Sequence, residues 1–170
     1  MRRIHRLSGI LISSFILLHL LNHLTSLLGP DNHISMMLKL RPFYRNSIAE
    51  VLLISSVLFQ VYSGIIFFKR RRKTAARFFE KLQIWSGLYM AIFFGVHLSA
   101  IFFGRLILDL DTNLYFGSAG LNSFPVNLFF IPYYSLAIIS FCGHIAAVHR
   151  NKSSRKALGV SVLNQSRILI

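Results

Sequence analysis

Four histidines lie inside long apolar segments of this chain, where a side chain that ionises near neutral pH is costly to place. They are His19, His23, His97 and His144, and the apolar run around each contains no acidic residue. A histidine in such a position usually faces the interior of a helix bundle and serves a site. The two interpretations for each are a ligand and a hydrogen-bonded packing residue.

Two of these histidines belong to an internal repeat. Residues 8–20 and 86–98 both begin with Ser-Gly and end with His-Leu, with the same intervening distance. Ten residues of helix rise by about 15 Å. The repeat therefore predicts that His19 and His97 reach comparable depth on two parallel helices. The competing explanation is chance recurrence of small residues that serve helix packing.

The chemistry of this pair depends on what else lies at the same depth. A metal ion bound only by protein side chains takes three or four ligands, commonly including a carboxylate. Glu50 lies too near the end of its own apolar run to supply one. Haem needs only two axial ligands, because the porphyrin contributes four nitrogens. We therefore expect one haem b, ligated by His19 and His97, with Gly9 and Gly87 allowing close helix or haem packing.

The remaining histidines receive simpler interpretations. Glu50 lies near the start of the second span. Gln60 of the same span and His144 of the fourth span lie nearer the other side of the membrane, and we expect these two side chains to form a polar contact. Glutamine is a poor haem ligand, so a second haem is not expected there, and a buried hydrogen bond is the preferred role of His144. His5, His33 and His149 lie at helix ends or in a loop, where solvated imidazoles are expected.

Composition indicates the elements that position these residues. The chain has 170 residues, is 54% hydrophobic and has a mean hydropathy of +0.58. A membrane-spanning helix needs about 20 apolar residues. We predict an all-α, integral membrane bundle of four transmembrane helices, with spans near 7–28, 47–68, 82–104 and 126–149. The first run is too long for a signal peptide and is expected to be retained.

The segments between the spans are predicted as loops. Gly29-Pro30 begins a turn, and Arg41-Pro42 is expected to end any short helix before the second span. Residues 1–150 then form one membrane domain, and residues 151–170 form a basic tail. The single cysteine, Cys142, excludes an intramolecular disulfide.

The net charge of +14 is distributed unevenly. The N-terminus, the connection 69–81 and the stretch after residue 149 hold all but four of the 19 Lys and Arg residues. This asymmetry follows the positive-inside rule and predicts that both termini are cytoplasmic. The run 69–73 is expected to contact anionic lipid headgroups. Nucleic-acid binding is not expected, because the charge follows membrane topology.

At these positions the chain resembles the membrane cytochrome b subunit of succinate dehydrogenase and fumarate reductase, in its single-chain, dihaem type with five helices. The stretches that carry the resemblance are 2–9, 17–20, 83–87, 95–98 and 141–144, together with Phe59-Gln60 and Gly64. The resemblance implies that His19 and His97 ligate the haem far from the soluble subunits. It carries His144 to half of the nearer haem site, because Gln60 stands where the family has a histidine. The family's fifth helix is also missing.

The resemblance implies a b-type haem-binding subunit for electron transfer and anchoring, at the quinone level, in the bacterial inner membrane. Flavoprotein and iron–sulfur subunits on the cytoplasmic side would then be its partners, since no catalytic motif is found in the chain itself. Glu50 is a candidate quinone or proton contact, or else a surface charge paired with Arg45.

Two other classes of function compete with this one. A non-haem membrane anchor or assembly protein could keep the fold without redox function, which the missing histidine and fifth helix favour. A small transporter or proton relay would use the histidines as titrating groups, but it would call for intramembrane acids and broken helices.

Overall fold

The computed structural model describes residues 1–157, with side chains to residue 153, and this part of the chain is all-helical. Its helices are α1 (Arg2–Leu24), α2 (Pro30–Tyr44), α3 (Ser47–Arg71), α4 (Phe78–Leu106), α5 (Leu114–Ser118) and α6 (Asn127–Ala157), with a 3₁₀ turn at Thr25–Leu28. The last part of the predicted basic tail, residues 158–170, lies outside the described residues.

Four of these helices, α1 with its 3₁₀ turn, α3, α4 and α6, are long and apolar enough to cross a membrane. The prediction of an all-α integral membrane bundle with four spans is confirmed. The helices run past the predicted spans into charged residues, and the last turn of α3 contains Lys69, Arg70 and Arg71. Cations at a helix C-terminus interact favourably with the helix dipole, which explains the extension.

The four spans pack in chain order. Backbone contacts join α1 to α3, α3 to α4 and α4 to α6. Within the described residues, no Cα atom of α1 lies within 8 Å of a Cα atom of α4 or α6. The bundle is therefore closed along three helix pairs and open between α1 and the α4–α6 pair.

We name the two ends of the bundle by their content. The basic end contains the N-terminus, the connection between α3 and α4, and the last turns of α6. The α2 end contains α2 and α5, which contact each other.

The buried core of the bundle is small. Its hydrophobic members among the described residues are Ile12, Met37, Ile84, Ala91, Ala137 and Ala147. Ala147 is fully buried at 0% exposure, on the closely packed α4–α6 pair. Helices in a membrane associate mainly through close packing of small residues, since lipid gives no hydrophobic driving force between them.

Enlarging Ala147 should therefore separate α4 from α6. We expect Ala147→Phe to destabilise the protein by about 1–3 kcal/mol, because extra ring volume has no space at a fully buried position. Ala146→Phe is the matched control, since Ala146 is exposed at the preceding position of the same helix. Thermal unfolding in detergent measures both. Equal midpoints for the two variants would contradict the packing described.

The connection between the first two spans is a helix rather than a loop. Gly29 precedes α2, Pro30 occupies its first turn, and Asp31 follows. Proline is well suited to a first helical position because its missing N–H is not needed there, and an acidic side chain favours the positive end of the helix dipole. The Gly-Pro pair therefore starts a helix at the point where a turn was expected.

The prediction that Arg41-Pro42 ends this helix was also wrong, because α2 continues to Tyr44 with Pro42 inside it. Pro42 cannot donate a backbone hydrogen bond to the carbonyl of Leu38, but only two residues of α2 follow it, so the helix ends within the same turn. The Asn46 side-chain amide donates to the carbonyls of Pro42 and Phe43, at 3.2 and 2.9 Å. Two terminal carbonyls of α2 are thus satisfied.

Candidate functional site

The repeat histidines meet across the open side of the bundle. The ring centroids of His19 on α1 and His97 on α4 lie 6.5 Å apart, with 69° between the ring planes. The two helices have no close backbone contact, so the imidazoles span the gap between them. A bond from a first-row metal to an imidazole nitrogen is about 2 Å. Two imidazoles on opposite faces of one metal therefore place their centroids roughly 6 Å apart.

A third histidine contacts this pair. His23 lies one turn after His19 on the same face of α1, and their Nε2 atoms are 3.2 Å apart. One of these two nitrogens carries the hydrogen and the other accepts it. The Nε2 atom of His19 is therefore engaged with His23, and binding of a metal at that nitrogen requires this hydrogen bond to break.

Exposure at the gap argues for a polar or metal-bearing occupant. His19 and His23 are exposed and His97 is half-buried, although all three lie on membrane-spanning helices. An imidazole left in contact with lipid hydrocarbon is unfavourable. Within residues 1–153, whose side chains are described, neither ring nitrogen of His97 has a hydrogen-bond partner, so its lone pair is available to a ligand.

Aromatic rings line both histidines. Phe93 stacks on His97 with centroids 5.1 Å apart and planes 12° apart, and Phe15 stacks on His19 at 5.8 Å. Tyr134 of α6 meets His97 edge-on at 6.4 Å. Sites for flat organic cofactors are typically lined by such apolar and aromatic groups around a few polar ones.

The donor set favours a cofactor over a bare ion. No group of three or more His, Cys, Asp or Glu side chains in the described residues is arranged to hold a metal ion. His23 contacts His19, but it does not complete such a group with His97, so a bare ion lacks the three or four protein ligands it takes. A macrocycle that supplies its own four nitrogens needs only the two axial ligands. The residues at the gap therefore fit haem.

His33 belongs to the same end of the bundle, and the expectation that it is solvated was wrong. It is 2% exposed on α2, next to Asn22 at 6% exposure on α1. The Asn22 amide nitrogen lies 3.3 Å from His33 Nε2, and the His23 and His33 rings are 5.0 Å apart. Burial follows from the folding of α2 against α1, which the loop prediction did not include.

Nearer the basic end, Gln60 bonds to α1. Its Nε2 donates to the backbone carbonyl of His5 and to Ser8 Oγ, the latter at 3.1 Å. A Cβ atom placed on Gly9 would lie 2.9 Å from Gln60 Nε2. Gly9 thus provides the space that the Gln60 side chain occupies.

His144 repeats this arrangement on the other half of the bundle. Its Nδ1–H donates to the Gln83 carbonyl at 2.9 Å, with Ser86 Oγ at 3.3 Å. A Cβ atom on Gly87 would lie 3.1 Å from its ring. Each Ser-Gly pair of the repeat therefore contacts a side chain from a neighbouring helix: Ser8-Gly9 contacts Gln60, and Ser86-Gly87 contacts His144. Each of these two bonds to its own neighbouring helix, and no hydrogen bond joins them directly in the described residues.

His5 is half-buried rather than solvated, which corrects the expectation for this residue. Ser63 Oγ donates its one hydrogen to the Phe59 carbonyl at 2.6 Å, so it accepts from His5 Nδ1–H, also at 2.6 Å. Ser63 is completely buried between α3 and α1. His149, by contrast, is exposed as predicted.

Glu50 pairs with Arg105 rather than with Arg45. The Glu50 carboxylate lies 2.5 Å from Arg105 Nη1 on α4, with both side chains half-buried. Arg45 instead donates to Thr112 Oγ1 at 2.6 Å. The expected Glu50–Arg45 pair was therefore wrong. The role of Glu50 as a quinone or proton contact stays a prediction.

A second ion pair, Arg41–Asp111, ties α2 to the segment before α5. The hydrogen bond from Arg41 holds the pKa of Asp111 below its usual value. The pair therefore stabilises the fold above the unfolded-state pKa of about 4. This contribution is lost as the pH falls through the lower pKa of the folded protein.

Asp111→Asn should remove this pH-dependent contribution. Because the Asp111 side chain is 52% exposed, the expected loss is below about 1 kcal/mol at neutral pH, after allowance for solvent screening. Unfolding measured at pH 7 and at pH 3 tests it, with a smaller difference between variant and parent at pH 3. A difference that grows on acidification would contradict the pairing.

No protein-family model, no curated protein and no solved structure matches this chain.

Proposed function

We propose that the chain is a b-type haem-binding membrane subunit that transfers electrons and anchors a redox partner. The observation that carries this proposal is the approach of His19 and His97 to 6.5 Å across helices whose backbones do not touch. A haem between them would supply a one-electron carrier whose potential is set by axial ligation and burial.

The residues of the chain do three things in this proposal. His19 and His97 provide the two axial nitrogens, each from a different helix. Phe15 and Phe93 stack on these imidazoles and limit their rotation. Because α1 and α4 have no Cα atoms within 8 Å of each other, a haem between them would not have to separate a tightly packed helix pair.

The proposed number of haems is one. By the resemblance, Gln60 stands where a second haem would need an imidazole to match His144, and its amide nitrogen already donates to α1. A carboxamide is a weak ligand for iron, whereas neutral imidazole is a good one.

Membrane placement follows from charge, and the partners follow from the resemblance. The basic end would face the cytoplasm by the positive-inside rule, in a bacterial inner membrane. The proposed electron exchange is with quinone in the bilayer, with flavoprotein and iron–sulfur subunits at the basic end. These partners rest on the resemblance to the succinate dehydrogenase and fumarate reductase cytochrome b subunit.

The alternative function is a membrane anchor without haem. The observation that favours it is the hydrogen bond between His19 and His23, which already satisfies the Nε2 atom that iron would need. In that case the histidines would serve as polar contacts between helices.

A reduced-minus-oxidised optical spectrum separates these two functions. The protein, purified from haem-replete cells, is expected to show a low-spin b-type signal with one haem per chain by pyridine haemochrome assay. A colourless protein from the same cells would refute haem binding and leave the anchor function.

A further inference from the structure

Three arginines converge at the α2 end of the bundle. Arg41 pairs with Asp111, and Arg105 pairs with Glu50. Arg45 forms no ion pair within the described residues, and its guanidinium donates to the Thr112 hydroxyl. We call Arg41, Arg45 and Arg105 the arginine cluster. It carries three positive charges against two carboxylates, so positive charge is in excess, although Asp111 also lies close enough to attract Arg45.

The excess positive charge lies in a partly buried position, which is unfavourable for a charged side chain. Burial, together with the nearby guanidinium groups of Arg41 and Arg105, lowers the pKa of Arg45. In addition, the Nε atom of Arg41 is buried without a hydrogen-bond partner. Partly buried cations that repel one another are stabilised when an anion with several acceptor oxygens joins them.

The arginine cluster lies next to the gap between α1 and α4 that His19 and His97 span. Tyr44, which precedes Arg45, packs edge-on against Phe15 with centroids 5.6 Å apart. The same Phe15 ring stacks on His19 at 5.8 Å. Towards the basic end, Arg6 is the closest arginine of α1 to His19 and lies more than three helical turns away.

We infer that Arg45, supported by Arg41, binds the carboxylate side groups of a haem held between His19 and His97. This inference rests on the proposed function, and it adds the orientation of the cofactor. Haem carries two propionate carboxylates on one edge, and a guanidinium binds a carboxylate through two parallel hydrogen bonds. The propionate edge would then face the α2 end, where the excess positive charge is found.

The test measures how firmly haem is held and how easily it is reduced. Arg45→Gln should release haem to an apomyoglobin scavenger about tenfold faster than the parent, as expected for loss of one charge-assisted bond pair. It should also lower the midpoint potential, because a positive charge near the haem favours the reduced state. Arg45→Lys keeps the charge, so its haem release rate and midpoint potential should lie between those of the parent and those of Arg45→Gln. Lys39→Gln, at an exposed position of α2, is the matched control and should behave as the parent.

A second variant separates ligand binding from a structural role. Thr112→Val removes the hydrogen bond that Arg45 makes in the protein but keeps its charge, so haem release and potential should stay at parent values. The inference is overturned if Thr112→Val reproduces the effect of Arg45→Gln, or if Arg45→Gln leaves both readings unchanged in a parent that binds haem.

Lipid phosphate is the other source of an anion for this cluster. The experiment is therefore repeated in detergent free of lipid and in nanodiscs containing phosphatidylglycerol. Binding of propionate predicts the same difference between parent and Arg45→Gln in both. A difference that is present only with phosphatidylglycerol assigns the cluster to lipid and overturns the inference. A parent without haem in either medium refutes the proposed function itself.

Discussion

The His97→Ala protein is expected to lose its low-spin b-type absorption, with at least about a tenfold fall in haem per chain. His97 is the sole imidazole that α4 contributes, and no other histidine of α4 can replace it. Even loss of a partner that only supports a metal ligand lowers affinity about 10- to 100-fold, so loss of the ligand itself should cost more. The reduced-minus-oxidised spectrum and the haemochrome assay measure the change.

The His19 side of the site requires a different design, because His23 lies one turn away with its Nε2 atom 3.2 Å from that of His19. His19→Ala should lower the haem content strongly. Any b-type signal that remains should vanish in the His19→Ala/His23→Ala double variant, since the His23 imidazole already contacts that of His19 and could replace it. His149→Ala is the control, because its exposed ring lies at the basic end.

One pattern of results would show that the ligand pair is misassigned. If the signal persisted in His97→Ala and disappeared in His144→Ala, iron would be held nearer the basic end. Thermal unfolding of each variant identifies a loss of signal that comes from misfolding, since a folded variant keeps the parent midpoint within a few degrees.

The architecture and the approach of His19 to His97 were both accessible from the sequence. Span length is set by bilayer thickness, so the uncharged runs predict four helices without knowledge of their packing. The repeat fixes the distance from Ser-Gly to His-Leu on two parallel helices, and equal rise per residue then gives equal depth. Helical geometry alone therefore brings these residues to one level.

What the sequence did not reveal depends on contacts between distant segments. Arg45 lies five residues before Glu50 and was the obvious partner, yet the carboxylate bonds to Arg105 on α4. Interpreted as a turn, Gly29-Pro30 predicts that His33 lies in a loop. The same pair is also a helix-start signal, and an α2 helix in that place buries His33 against Asn22.

The glycines of the repeat show a contact that spacing along one helix cannot predict. Gly9 and Gly87 were expected to allow close packing of helices or haem, and the structure places Gln60 and His144 over them. Spacing along one helix could not identify the side chain from a neighbouring helix that fills the space. The hydrogen-bond pattern explains the repeat of Ser-Gly: each serine hydroxyl bonds back to its own helix, at Ile4 or Leu82, and meets the inserted side chain.

Gln60 and His144 thus occupy equivalent places over the two Ser-Gly pairs, and this equivalence predicts a large effect of Gln60→His on haem content. In the structure, His144 Nδ1–H donates to the Gln83 carbonyl, and the Gln60 amide donates to the His5 carbonyl at the corresponding position of the repeat. An imidazole at residue 60 could make the same bond through Nδ1–H, which would leave its Nε2 lone pair free, as in His144. A second pair of axial nitrogens would then exist near the basic end.

We expect the haem content of Gln60→His to double relative to the parent, with a second component in the redox titration. Gln60→Asn is the control, because it keeps a carboxamide and should bind no additional haem. Introducing His144→Ala into the Gln60→His protein should return the haem content to the parent value, whereas His97→Ala should remove the original component. If Gln60→His binds no more haem than the parent, residues 60 and 144 are too far apart or wrongly directed to share an iron. The equivalence between the two halves of the bundle would then be limited to the hydrogen bonds seen in the structure.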